Sequence, residues 1–151
     1  MCLKKCPVEN TGFHRNEPYK VWAWRNKNDV DIMCSASGGA ADSAAKTILQ
    51  MGGVVYGAAY DEQLAVSHIE VTDEAEREKL QSSKYVQSDP KDRLHKGRNS
   101  VCQREKGYFL QELPARLQVC MLFWVAIQKN LYTVDLICHG VPSPKFFKKY
   151  L

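Results

Sequence analysis

The stretch that decides the fold runs from residue 37 to residue 71, SGGAADSAAKTILQMGGVVYGAAYDEQLAVSHIEV. The alanine-rich run 40–51 favours a helix, and Gly52-Gly53 ends it. Residues 54–60 form an apolar run typical of a buried strand, and 65–71 alternate apolar and polar side chains as a paired strand does. This order predicts a helix that covers a sheet.

Further elements extend the pattern on both sides. Val21-Trp22-Ala23-Trp24 is a short β-favouring run, and a charged helix over 74–80 begins with a capping box at Asp73. Residues 131–138 are strand-like, and Pro144 suits the first turn of a final helix. Because helices and strands alternate, we expect an α/β fold, a mixed sheet with flanking helices. Its core is expected to contain Trp22, Trp24 and Tyr56.

The composition excludes several classes of protein. The chain has 151 residues, 44% hydrophobic and 25% charged, which suits one globular core and is too apolar for a disordered chain. The net charge of +4 comes from scattered lysines and arginines, so we expect no nucleic-acid partner. A basic segment over 91–106 also lacks interleaved aromatic residues for stacking on RNA.

Membrane spans and secretion are also not expected. The longest apolar run, Val119–Ile127, has nine residues, against about 20 for a transmembrane helix. The start MCLKKCPVEN has no apolar segment behind its lysines, unlike a secretory signal. Six cysteines without a signal indicate reduced thiols or metal ligands, and hence a cytoplasmic protein.

Two cysteines near the start have a spacing typical of iron–sulfur proteins. Cys2-x3-Cys6-Pro7 matches the second half of the C-x2-C-x2-C-x3-C-P run that holds 4Fe–4S clusters. Each cluster needs four thiolates, and this segment supplies two. The alternative is a pair of plain thiols.

Five ordered segments resemble the N-terminal region of the beta-subunit family of coenzyme F-420 hydrogenases and dehydrogenases. They are CLKKCPVEN (2–10), YKVWAWRNK (19–27), the stretch 35–71, EREKLQSSKYVQSD (76–89) and LYTVDLICHGVPSPKFFKKYL (131–151). The strings SKYVQSD and DLICHGVPSP are long and specific.

The resemblance implies a flavin- and iron–sulfur-dependent oxidoreductase subunit. Such a subunit passes electrons between 4Fe–4S clusters, FAD and a deazaflavin-type or other acceptor, and works with a redox partner protein or subunit. Residues 1–18 are then the remnant of a ferredoxin-type segment, with Cys2 and Cys6 as metal ligands. Residues 19–151 are then the N-terminal α/β domain. We expect the chain to be a fragment of such a subunit.

Three segments carry the FAD site that the resemblance implies. Ser37, a plausible helix cap, and the Gly38-Gly39 turn offer free N–H groups at a helix start, although Asp42 in the first turn should repel a phosphate. Lys84 can supply positive charge, and His139 can donate to the flavin ring. The full set of candidate FAD contacts is Ser37, Gly38, Gly39, Lys84, Tyr85, Gln87, Ser88, Cys138, His139 and Gly140.

Ordinary alternatives remain for each segment. A Gly-Gly turn commonly caps a helix, and a lysine after a helix is commonly solvated. A non-enzymatic α/β binding or scaffold module is therefore the second hypothesis. Flavin absorbance of the purified chain separates the two.

Residues 92–130 depart from the family pattern. The family has a strand followed by G-T-P-C-Q between SKYVQSD and DLICHG, whereas this chain has Glu112-Leu113-Pro114-Ala115-Arg116. Shifted by one base, codons compatible with Lys106–Trp124 can spell an apolar strand followed by G-T-P-C-Q. We therefore expect two compensating frameshifts, with Cys102 and Cys120 carrying no chemistry and a loss of the central strand. A true insertion is the alternative.

The frameshift hypothesis predicts what the coding DNA spells in a shifted reading frame. Read one base earlier across codons 106–124, it should spell a valine- and leucine-rich strand followed by G-T-P-C-Q. Restoring that frame should give a more cooperatively folded protein, measured as a steeper urea-unfolding transition. Codons that do not permit the G-T-P-C-Q reading would instead establish a true insertion.

Overall fold

The computed structural model describes residues 18–89, 107–112, 130–136 and 140–151. In these residues a four-stranded sheet is covered by short helices, which confirms the expected mixed α/β fold. The expected ferredoxin-type segment 1–18 lies outside the described residues except for Pro18.

The sheet has the strand order β2-β1-β3-β4. Its members are β1 (Val54–Tyr60), β2 (Val66–Val71), β3 (Tyr108–Glu112) and β4 (Leu131–Asp135). β2 runs antiparallel to β1, whereas β3 is parallel to both β1 and β4. Asp89 forms a single parallel bridge with Ser67, at the edge of β2 that faces away from β1.

The helices are α1 (Asp29–Cys34), α2 (Ala40–Gln50), α3 (Glu74–Arg77) and α4 (Pro144–Tyr150). A 3-10 turn, Glu78–Leu80, continues α3. The expected helix 74–80 is therefore α-helical only in its first half, and α1 was not expected. The Asp73 carboxylate caps α3 by accepting from the Glu76 N–H at 2.8 Å, which is one half of the predicted capping box, whereas Glu76 Oε1 accepts from Lys79 at 3.0 Å. Pro144 opens α4 as predicted.

The core lies between α2 and the sheet. α2 contributes Ala45, Ile48 and Leu49, and the strands contribute Val55, Ala59 and Val71 together with Leu80 from the 3-10 turn. Val55 and Val71 are register partners on β1 and β2 and are the most completely buried side chains among the described residues. The burial therefore confirms that 54–60 and 65–71 pair beneath the helix.

The expected strand at Val21–Trp24 does not form. These residues have no regular secondary structure, and Trp22 and Trp24 are 76% and 49% exposed, so their expected place in the core is wrong. The Asn26 N–H donates to the Gly38 carbonyl at 2.9 Å. The segment therefore contacts the turn before α2 and does not pair with a strand. Tyr56 is buried, as expected.

The centre of the sheet corrects a second expectation. β3 lies inside the stretch expected to have lost its strand, and it pairs with β1 and β4 over Tyr108–Glu112. Backbone pairing is available to any extended sequence, so atypical side chains do not prevent it. The rest of 92–130, apart from 107 and 130, lies outside the described residues, and the origin of the stretch stays a prediction.

The tight joint between α2 and β1 predicts an asymmetric response to added methyl groups. A Cβ at Gly53 would collide with the Gly107 carbonyl and lie 2.6 Å from Ile48 Cγ2, whereas a Cβ at Gly57 meets only the flexible end of Leu80, at 3.2 Å. We expect Gly53→Ala to lower the free energy of unfolding by about 1–3 kcal/mol and Gly57→Ala by less than half as much. Urea unfolding of both variants checks this, and equal losses would contradict the packing.

Candidate functional site

The candidate site lies where α2 begins. α2 is joined to β1 by a tight turn in which the Gly53 N–H bonds the Ile48 carbonyl at 2.8 Å, so helix and strand run antiparallel. The start of α2 therefore lies toward the carboxyl end of β1. That edge is where open α/β sheets place their ligands.

The turn before α2 is built differently from the expected cap. Gly39, not Ser37, is the N-cap residue, with φ 74° and no side-chain cap, and Ser37 is exposed with φ 52°. A Cβ at Gly38 would collide with the Trp24 carbonyl oxygen. Gly38 is thus required for the close approach of the chain's own backbone, and not for the approach of a ligand.

Asp42 in the first turn of α2 forms a buried ion pair with Arg77 of α3. The side chains are 7% and 6% exposed, and the Gln81 amide donates to the same Asp42 oxygen, Oδ1, at 3.2 Å. The Arg77 charge compensates the carboxylate. The expectation that Asp42 repels an anion is therefore weakened, because the pair has no net charge.

Two buried polar atoms at or just before the first turn of α2 have no hydrogen-bond partner among the described residues. They are the Ser35 hydroxyl, which lies 3.5 Å from where a Gly39 Cβ would stand, and Asp42 Oδ2. Asp42 stands at the third helical position, and its other oxygen, Oδ1, accepts from Arg77 and Gln81. One atom can donate and the other can accept, and unmade hydrogen bonds of buried groups are costly.

The segment around Lys84 contacts this turn. The Ser82 hydroxyl donates to the Cys34 carbonyl at 2.9 Å, and the Lys84 ammonium donates to the carbonyls of Gln81 and of Ser82, the latter at 3.2 Å. Burial lowers the pKa of Lys84 to about 8. Lys84 is thus half-buried and bonded, not the solvated lysine of the alternative interpretation.

The third predicted segment joins through the backbone. The Gln87 N–H donates to the Pro142 carbonyl at 3.2 Å, which brings the 84–88 segment to the chain just after Gly140. Gly140 is exposed with φ 131°, and nothing lies within 4 Å of where its Cβ would stand. Tyr85 and Gln87 are exposed, and Ser88 is half-buried.

Four candidate residues lie outside the described part of the chain: Cys2, Cys6, Cys138 and His139. Within that part, no cluster of three or more His, Cys, Asp or Glu side chains could hold a metal ion. The expected iron–sulfur ligands therefore stay a prediction.

Sequence reasoning missed Ser35, Arg77 and Gln81. Ser35 belongs to the quoted turn but carried no pattern of its own. Arg77 and Gln81 lie 35 and 39 residues after Asp42, the first within the predicted charged helix and the second just after it. A carboxylate at the start of an apolar helix was the one available signal, because a buried charge needs a partner.

The unpaired groups at the start of α2 have the donor and acceptor chemistry that one part of FAD would need. An uncapped helix start, a hydroxyl and a carboxylate oxygen suit a group that both donates and accepts hydrogen bonds, such as a ribityl hydroxyl or a flavin N–H edge. They suit a phosphate less well, because Asp42 Oδ2 can only accept while it is ionised.

Comparisons with known proteins inform the fold. No protein-family model matches the chain, and no curated protein matches it. A chain of the F420-reducing NiFe hydrogenase complex from Methanosarcina barkeri has a similar structure, with a TM-score of 0.67 and 14% sequence identity. The match covers 90% of this chain and 51% of the hydrogenase chain, so this chain spans about half of that neighbour's length.

Among the described residues, no helix is long and apolar enough to cross a membrane.

The buried ammonium of Lys84 predicts a pH dependence of stability. An unfolded lysine keeps its proton to about pH 10.4, so between pH 8 and 10 the unfolded chain binds more protons than the folded chain. Stability from this group should therefore rise with pH over that range. Urea unfolding of wild type and Lys84→Met should diverge accordingly, whereas exposed Lys79→Met should run parallel to wild type. If the free energy of unfolding of Lys84→Met changed with pH as that of wild type does, the pKa of Lys84 would be that of an ordinary lysine.

Proposed function

We propose that the chain is the flavin-binding part of an oxidoreductase subunit that passes electrons between 4Fe–4S clusters, FAD and a deazaflavin-type or other acceptor. One observation carries the proposal. Segments far apart in the chain, 34–42, 81–88 and 140–142, are linked by the Ser82–Cys34, Gln81–Asp42 and Gln87–Pro142 hydrogen bonds. All three segments were expected to contact FAD.

The described residues suggest separate roles in holding FAD. Ser35 would donate, and Asp42 Oδ2 would accept, at the start of α2. Lys84, held by the carbonyls of Gln81 and Ser82, would add positive charge next to them. Bound FAD would supply the redox chemistry, in which the flavin accepts and releases one or two electrons.

Cys2 and Cys6 are proposed as two of the four thiolate ligands of a 4Fe–4S cluster. We propose that the other two ligands come from another part of the intact subunit or from its partner. The similar solved chain belongs to a hydrogenase complex, which supports a protein partner for this chain too. It spans about half of that chain, so a complete catalytic unit is proposed to need more residues than these.

Flavin binding tests the proposal directly. Titration of the purified full chain with FAD should quench flavin fluorescence and give a saturable, stoichiometric isotherm. We expect Ser35→Ala to weaken FAD binding about tenfold, because it removes one buried hydrogen bond. Lys84→Met should weaken binding by at least as much, because it removes a charge.

The matched controls separate binding from folding. Thr47→Ala removes a hydroxyl from the exposed side of α2, and Lys79→Met removes an exposed lysine of the 3-10 turn, so both should bind FAD like wild type. Each variant must unfold cooperatively in urea. If the folded wild type does not bind FAD, the chain is instead a non-enzymatic α/β module. If binding is tight but unchanged in Ser35→Ala and Lys84→Met, the flavin lies elsewhere.

A further inference from the structure

The segment that leads into α1 exposes large apolar side chains. Tyr19, Val21 and Trp22 are 93%, 84% and 76% exposed, although they lie beside a folded core. Val30 and Met33 of α1 are exposed as well. Contiguous exposed apolar residues of this size mark a surface that binds something.

The same segment is basic. Residues 18–28 contain Lys20, Arg25 and Lys27 and no carboxylate. The Lys20 ammonium lies 5.7 Å from the Tyr19 ring centre and 5.5 Å from that of Trp22. Arg25 pairs with Asp29 at 2.8 Å in an exposed position, which leaves the other two cations for an outside anion.

The end of the chain repeats this combination. Phe146 and Tyr150 of α4 are exposed, and so is Leu151, which follows the helix. Three lysines, at 145, 148 and 149, accompany these side chains, and residues 140–151 contain no Asp or Glu. The ring of Phe147, on the same helix, instead stacks on Tyr60 with ring centres 6.4 Å apart.

Both groups lie at one end of the fold. Tyr60 is the last residue of β1, so α4 lies at the carboxyl end of that strand. The 19–27 segment contacts the turn at Gly38, where α2 begins, and α2 runs antiparallel to β1. Tyr85, 72% exposed, is two residues before Gln87, whose N–H bonds the Pro142 carbonyl close to α4. We call residues 19–27 and 145–151 the aromatic–basic end.

We infer that the aromatic–basic end docks the protein on an anionic phospholipid surface. Tryptophan and tyrosine favour the headgroup region, aliphatic side chains gain from the acyl boundary, and lysines pair with lipid phosphates. The exposed aliphatic residues Val21 and Leu151 favour lipid over a nucleic acid, which gains from stacking and charge alone. The surface lies on the bilayer and does not cross it. It adjoins the proposed flavin site, but its test measures lipid binding and needs no bound flavin.

Vesicle binding tests the inference. The full chain is mixed with vesicles of phosphatidylcholine alone or with 30% phosphatidylglycerol, and bound protein is measured by sedimentation. We expect at least tenfold stronger partition onto the anionic vesicles, weakening as NaCl rises from 0.05 to 0.5 M. Brominated lipids should quench tryptophan emission, because the Trp22 and Trp24 rings enter the interface.

Variants identify the surface. Trp22→Ser with Trp24→Ser should lower partition about tenfold and remove bromolipid quenching, with the emission of Trp124 as background. Lys148→Glu with Lys149→Glu should lower partition onto anionic vesicles by a similar factor and leave the weak binding to neutral vesicles unchanged. Met51→Ser, at the opposite end of α2, and Lys79→Glu, an exposed lysine of the 3-10 turn, should bind like wild type.

Several results would overturn the inference. These are no binding to anionic vesicles, or binding that the Trp22 and Trp24 changes leave intact. Binding of a single-stranded oligonucleotide that outcompetes the vesicles would assign the surface to nucleic acid. A wild-type dimer that Trp22→Ser with Trp24→Ser makes monomeric would assign the surface to a second copy of the chain.

Discussion

The buried ion pair between Asp42 and Arg77 holds α2 and α3 together at the candidate site. It joins the first turn of α2 to α3, and Glu74 adds a bond to the Arg77 Nε at 3.1 Å. Removing one partner of such a pair leaves an uncompensated buried charge, which costs about 3–5 kcal/mol. The pair also fixes where the chain emerges after α3, which is why Ser82 reaches the Cys34 carbonyl. The arrangement of the candidate site therefore depends on a contact that itself binds no ligand.

Local patterns predicted the elements whose signals are contained within one short stretch. α2 follows from its alanine-rich run and the glycines after it, and β1 and β2 follow from apolar periodicity. The Val21–Trp24 segment has equally good β propensity but forms no strand, because β propensity is realised only against a neighbouring strand. β3 shows the converse, since a stretch with an atypical sequence forms a strand between two others.

The residues of the candidate site also divide into those that a local motif predicted and those that depend on contacts between distant parts of the chain. The Gly39 turn, Lys84 and the chain after Gly140 were found by motif, and the hydrogen bonds bring their segments together. The role of Asp42 was misjudged, because its effect on an anion depends on an arginine 35 residues away. Pairings at that separation are properties of the folded chain, and no periodicity or capping rule encodes them. The same limit hid Ser35, whose burial depends on how the turn packs.

The ion pair also determines what kind of group can occupy the start of α2. Arg77 compensates the Asp42 carboxylate but also bonds the more exposed Glu74, so the partial positive charge of the helix end is opposed less than it would be by Asp42 alone. The unpaired hydrogen-bonding groups there, however, are Asp42 Oδ2, which can accept, and the Ser35 hydroxyl. These groups suit the N–H and O–H groups of a ligand. Lys84 is the nearby cation, and it belongs to the neighbouring segment. Any ligand with both a phosphate and a hydroxylated or N–H-bearing part is therefore expected to direct the latter at the turn and the phosphate toward Lys84.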